Sequence, residues 1–143
     1  MPNTWVTQFV DLGVATAAYT AGDAFGAKNS FDGVPQHGVI ESFMVIDTDS
    51  EDDAIEMFLF HTDILGTADA NAFDPTDAEL ETCVGRVEVA AGDYTNLNDN
   101  SFAVVDNIGL PYRTQSGTLY FQCRTPGTAA YASAVLVAIG ISY

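Results

Sequence analysis

The sequence predicts an all-β fold: an antiparallel β-sandwich of about eight strands, jelly-roll-like, with one short helical turn. Three observations predict it. Short runs rich in β-branched and aromatic residues recur along the 143 residues, turn-forming residues separate them at short intervals, and almost no stretch has helical periodicity. A chain of this length with 48% hydrophobic residues can bury one core, so we expect a single domain over residues 1–143.

The stretch from Val39 to Phe60 dominates the prediction. It consists of two apolar runs separated by the acidic segment 47–53. Apolar side chains lie on both faces of each run, which indicates strands covered on both sides by a second sheet or by a neighbouring subunit. We expect a buried β-hairpin with a long solvated tip.

The remaining elements follow from local signals. Residues 1–12 are predicted to form an extended N-terminal arm or a first strand, and residues 18–26 a strand–turn–strand unit. Asp74 as N-cap, with Pro75 at the first helical position, predicts a helical turn over 75–80. Further strands are expected at 82–89, 101–108, 117–125 and 134–142, with a loop at 31–37, a polar loop at 92–100 and a connection at 110–116.

Charge excludes two classes of partner. Twenty acidic residues face four lysines and arginines, giving a net charge of −16. Nucleic acids and anionic membranes are bound through clustered Lys and Arg, so neither is expected as a partner. No apolar run approaches the roughly 20 residues of a membrane span, and the first residues do not resemble a signal peptide, so we expect synthesis in the cytoplasm. The acids suit solubility, a saline medium or a basic partner.

The sequence contains no recognisable catalytic motif. His37 and His61 are the only histidines, and no nucleophile motif, phosphate-binding loop or dinucleotide fingerprint accompanies them. We therefore expect neither an enzyme nor a cofactor, and interpret both histidines as strand-end residues. Cys83 and Cys123 are interpreted as buried free thiols, although a bridge could form between them if their strands are neighbours.

Two clusters suggest binding, each with a simpler alternative. Asp47, Asp49, Glu51 and Asp53 could hold Ca²⁺ at the tip of the hairpin, but the segment lacks the EF-hand pattern, and we favour a solvated acidic loop. Exposed aromatic rings could stack on sugars, but we favour a place in the core or in an interface. The aromatic candidates are Trp5, Tyr112, Tyr120, Tyr131 and Tyr143.

Four stretches resemble a known group of proteins: AYTAGDAFG, the acid-tipped segment 39–60, TADANAFDPTDAELETCVGRVEV and VVDNIGLPYRTQSGTLYFQCRTPGTAAY. They are similar to small virion structural proteins of tailed (phage-type) viruses, which we take as the capsid decoration, or cement, proteins. The similarity covers about residues 19–143. It implies a non-catalytic jelly-roll-like protein, made in the host cytoplasm, that binds the major capsid protein on the outside of an icosahedral head, often as a homotrimer.

A cement protein needs surfaces for its own copies and for the shell. The expected interface residues are Thr4, Trp5, Phe9, Phe58, Phe60, Ile141 and Tyr143. Two alternatives remain open. One is a tail, collar or fibre module that recognises host glycans through tyrosines. The other is a carbohydrate-binding β-sandwich with Ca²⁺ at the acidic loop.

Overall fold

A computed structural model describes residues 3–15 and 17–143 and confirms the all-β architecture. The helical parts are α1 (Asp77–Leu80) and one 3-10 turn (Ala91–Asp93). No helix in these two ranges is long and apolar enough to cross a bilayer. The strands are β1 (Thr4–Val6), β2 (Val10–Asp11), β3 (Ala24–Asp32), β4 (His37–Asp47), β5 (Ile55–Phe60), β6 (Cys83–Val89), β7 (Tyr94–Asn96), β8 (Ser101–Val105), β9 (Leu110–Arg113), β10 (Thr118–Arg124) and β11 (Val135–Ser142).

The strands form two antiparallel sheets. Sheet I has the order β1-β11-β4-β8-β7, with β2 following β1 along β11 and β9 following β8 along β4. Sheet II has the order β3-β10-β5-β6. The chain crosses between the sheets after β2, β3, β4, β6, β9 and β10. This repeated crossing between two sheets of interleaved strands is the connectivity of a jelly roll.

The core lies between the sheets and is built by strand alternation. In β4, Phe43 and Val45 are fully buried, and their neighbours Met44 and Ile46 point to the other face. Phe121 of sheet II faces the same interior and stacks on Phe31 with ring centroids 4.4 Å apart. One continuous cluster of buried side chains therefore joins the two sheets.

The predicted hairpin over Val39–Phe60 is wrong. β4 pairs with β11, β8 and β9 in sheet I, whereas β5 pairs with β10 and β6 in sheet II. The acidic segment is an arch that carries the chain from one sheet to the other. Ser50 and Asp52 both have φ of 54°, so the arch changes direction through left-handed backbone at two positions.

Three smaller predictions also fail. The first strand of the strand–turn–strand unit is absent, because residues 17–22 are irregular and β3 begins at Ala24. The predicted polar loop contains β7, and the predicted connection contains β9, where Pro111 is tolerated because this strand pairs on one side alone. The N-terminal arm forms β1 and β2, and its first two residues lie outside the described ranges.

The short helix begins later than predicted, and its N-cap is Thr76 instead of Asp74. The Glu79 backbone N–H donates to Thr76 Oγ1 at 3.2 Å, and the Thr76 N–H donates to the Glu79 carboxylate at 2.8 Å. This reciprocal capping box satisfies two helix-terminal N–H groups.

Cys83 and Cys123 are both free thiols, and the alternative of a bridge between them is excluded. Cys83 lies in β6 and Cys123 in β10, and β5 runs between these two strands. Burial raises the pKa of both thiols, and Cys123 is completely enclosed.

Candidate interaction surface

The outer face of sheet II is covered by the chain's own connector, residues 61–82. The Phe58 ring packs against Phe73 with centroids 5.1 Å apart. The Lys28 ammonium donates to the Ile64 carbonyl at 2.6 Å and to the Asp63 carboxylate at 3.0 Å. These contacts hold the connector to the sheet at several points, so the apolar outer side of β5 needs no partner molecule.

Gln122 of β10 holds the connector to sheet II by hydrogen bonds. Its side chain is fully buried, and its amide nitrogen donates to the carbonyls of Thr67 and Gly26 at 2.6 and 3.2 Å. Its amide oxygen accepts from the Thr67 N–H at 2.9 Å. Three polar groups that would otherwise be buried without partners are thereby satisfied.

Sheet II also carries three of the four cations, and each is paired. Glu56 accepts from Arg124 at 2.9 Å and lies 3.5 Å from Arg86, which also contacts Glu88 at 2.7 Å. Lys28 pairs with Asp63. The outer side of this sheet is therefore covered, and each of its three cations has a carboxylate partner.

The centre of the outer face of sheet I is apolar, and no segment of residues 3–15 or 17–143 is held across it as the connector is held across sheet II. Strand register places Met44 between Ala138 and Val104, and Ile46 between Leu136 and Phe102. The residues that alternate with them point into the core, so these six point outward. Val104 is 40% exposed, most of the others are half-buried, and the small Ala138 is enclosed among them. We call this set the apolar face: Met44, Ile46, Phe102, Val104, Leu136 and Ala138.

Four of the expected interface residues are exposed near one edge of sheet I. Thr4 and Trp5 lie on β1, which pairs with β11 alone, and Trp5 is 41% exposed. Phe9 is 39% exposed in the step between β1 and β2, and Tyr143 is 45% exposed beside Asn3. We call Thr4, Trp5, Phe9 and Tyr143 the terminal edge.

The other three expected interface residues are not surface groups. Phe60 and Ile141 are 0% and 2% exposed, and Phe58 is covered by Phe73 of the connector. Ile141 belongs to the core cluster, and Phe60 is enclosed on the outer side of sheet II. The apolar pattern identified strands covered on both faces, but for β5 the cover comes from the same chain.

In the acidic arch, residues 47–53, carboxylates accept hydrogen bonds from backbone N–H groups of the chain itself. Asp47 is fully buried, and its two carboxylate oxygens accept the N–H groups of Asp49 and Asp52 at 2.9 and 3.0 Å. Asp49 in turn accepts the Ala132 N–H at 2.7 Å. Desolvation and then the neighbouring carboxylates raise the pKa of Glu51. In the described part of the chain no three His, Cys, Asp or Glu side chains are grouped to hold a metal ion, so Asp47, Asp49, Glu51 and Asp53 form no calcium cage.

The aromatic candidates do not form one stacking platform. Tyr131 is buried against Phe25 with centroids 4.9 Å apart, and Tyr112 is only 6% exposed. Tyr120 is half-buried on the outer side of sheet II. Trp5 and Tyr143 are the exposed members of the set, and both belong to the terminal edge.

Comparison with known proteins finds no family model that matches the chain and no match among curated proteins.

Proposed function

We propose that this protein is a capsid decoration protein of a tailed virus: a non-catalytic homotrimer that binds the major capsid protein on the outside of the head. The resemblance in the sequence supports the class of protein. The observation that carries the proposal is the contrast between the sheets: residues 61–82 cover sheet II, whereas no comparable cover of the apolar face of sheet I is found in the described part of the chain.

The apolar face is suited to contact between copies of the chain. Its six side chains are contiguous and apolar, and the exposed Asp11, the cross-strand partner of Leu136, lies at its border. Covering half-exposed side chains of this size contributes on the order of 1 kcal/mol each. An association along this face would bury it without bringing acidic side chains at its centre into contact.

The terminal edge is suited to binding the capsid shell. β1 pairs on one side, so its outer edge retains backbone donors and acceptors that can add a strand from another protein. Trp5, Phe9 and Tyr143 supply aromatic anchors along the same edge. The net charge of −16 is complementary to basic patches on a capsid protein and repels packaged DNA, although salt screens both effects beyond about 8 Å.

The self-association is tested by sedimentation velocity on the wild type and on Ile46→Lys and Val104→Lys. We expect a trimer for the wild type and a monomer for both variants, because each places an ammonium group in the apolar face. Leu65→Lys is the matched control: Leu65 is 87% exposed on the connector over the opposite sheet. It should remain trimeric.

Shell binding is tested by co-sedimentation with expanded heads of the virus in its native salt. The wild type should co-sediment, and a Trp5→Ala, Tyr143→Ala double variant should do so more weakly while remaining trimeric. A wild-type protein that is monomeric and does not bind heads would overturn the proposal.

A tail, collar or fibre module of the same particle is the second candidate, favoured by the two exposed aromatic rings of the terminal edge, Trp5 and Tyr143. Electron microscopy of gold-labelled particles separates the two. Label confined to the tail would replace the first candidate with the second.

A further inference from the structure

Arg113 differs from the other three cations. Lys28, Arg86 and Arg124 each have a carboxylate within 3.0 Å, whereas Arg113 has none within 4.0 Å among the described residues. Its side chain is exposed at the end of β9 in sheet I. In a chain with five acids for every cation, an arginine without a carboxylate partner indicates a place from which acids are locally excluded.

Two open cavities, of about 450 and 440 Å³, meet at this arginine. Arg113 and Tyr112 line both of them. His61, Thr62, Val84, Pro111 and Gln115 complete the first cavity, and His37, Gly38, Val39, Ser142 and Tyr143 complete the second. Both histidines of the chain therefore border the unpaired arginine.

Neither cavity is lined by an acid. By contrast, three other surface cavities are lined by Asp11, Asp63 and Asp32 respectively. Beside the second cavity, the Glu41 carboxylate accepts a hydrogen bond from the hydroxyl of the lining residue Ser142 at 3.0 Å. Among the described residues, an anion entering either cavity would therefore meet no Asp or Glu side chain in its wall.

The fold holds these groups in place. The register of β4 and β9 sets His37 directly opposite Arg113, so both side chains project from the same face of sheet I. His61 follows β5, and the Thr62 hydroxyl lies 3.1 Å from its Nδ1. Tyr112 donates from its hydroxyl to the Pro35 carbonyl at 2.8 Å, which fixes the wall between the cavities. Burial raises the pKa of Tyr112 to about 12, so the phenol remains a neutral donor.

We infer that Arg113, flanked by His37 and His61, is a binding site for a small polar ligand that carries an oxyanion, either a carboxylate or a phosphate. The planar guanidinium offers parallel N–H donors to such a group, and two imidazoles and the Gln115 amide can bind the polar body. Each cavity has a volume typical of small-molecule sites.

Three probes of similar size test the site: glucuronate, glucose 6-phosphate and glucose, titrated by NMR in 0.15 M NaCl. We expect glucuronate or glucose 6-phosphate to bind at least about tenfold more tightly than glucose, with shifts at Arg113 and at the two histidines. The anion that binds more tightly identifies the carboxylate or the phosphate as the preferred group. Arg113→Gln should weaken anion binding about tenfold.

Arg86→Gln is the matched control, because Arg86 is similarly exposed but paired with carboxylates of sheet II, and it should leave anion binding unchanged. If Arg113→Gln does not fold, His61→Ala replaces it with the same expectation. Equal binding of all three probes, binding of none, or full anion binding by a folded Arg113→Gln protein would overturn the inference. The titration does not depend on self-association or on heads, so its failure is separate from that of the proposed function.

Discussion

Replacing Gln122 by Met should weaken the attachment of the connector to sheet II. The substitution keeps an unbranched side chain of similar length but removes three hydrogen bonds, one with each of the Thr67 N–H, the Thr67 carbonyl and the Gly26 carbonyl. Each such bond contributes about 1 kcal/mol net, and the buried partners left behind add to the cost. We therefore expect a loss of about 3 kcal/mol in the free energy of unfolding, a large share of the roughly 5–15 kcal/mol typical of a domain.

Urea unfolding followed by circular dichroism measures the loss as a lower midpoint at unchanged slope. Limited proteolysis should show faster cleavage within residues 61–76. Gln36→Met is the matched control, because the Gln36 amide makes one exposed hydrogen bond, to the Gln115 carbonyl at 3.0 Å. It should cost less than about 0.5 kcal/mol. If the two variants were equally stable, the buried glutamine would not be what holds the connector.

Three further outcomes are expected. Glu79→Ala should cost about 1 kcal/mol at pH 7. The Thr76 N–H lowers the pKa of the Glu79 carboxyl in the folded state, so this difference should be complete above about pH 4.3 and disappear in urea titrations as the pH falls through the lowered value. Gly26→Ala should destabilise by more than 2 kcal/mol in thermal unfolding, because φ is +82° and a Cβ would overlap the Leu12 carbonyl oxygen; equal melting temperatures would refute the clash. A thiol reagent should leave Cys123 unmodified in the native protein and modify it in urea, and rapid native labelling would contradict its burial.

The fold class could be predicted because it rests on local patterns. Short runs rich in β-branched and aromatic residues, bounded by turn signals, located β4, β5, β6, β10 and β11 to within about two residues, and these strands carry most of the core. The pairing of β4 and β5 could not be predicted. Two strands that follow each other in the chain have the same sequence pattern whether they pair in one sheet or lie in different sheets. β9 was missed because Pro111 argues against a strand unless its edge position is known.

The candidate surfaces required tertiary information. Apolar side chains on both faces predicted covered strands, but only the position of the connector distinguishes Phe60, which the chain covers itself, from Ile46, which it leaves half-exposed. Arg113 gave no sequence signal, since its relation to His37 depends on the β4–β9 register and its relation to His61 on the packing of the two sheets. The role of Gln122 likewise could not be predicted from the sequence, because its hydrogen-bond partners lie 55 and 96 residues away.

The place of β11 in sheet I has a consequence for how the protein is made. β11 separates β1 and β2 from β4, yet it leaves the ribosome after every other described strand. Until then the N-terminal segment has no strand to join, and the Asn3 and Tyr143 backbones, which exchange two hydrogen bonds at 3.0 Å, cannot meet. Sheet II, whose last strand is β10, can assemble earlier. Sheet I must close after translation of residues 135–142, and such late pairing of distant segments slows folding to milliseconds or longer.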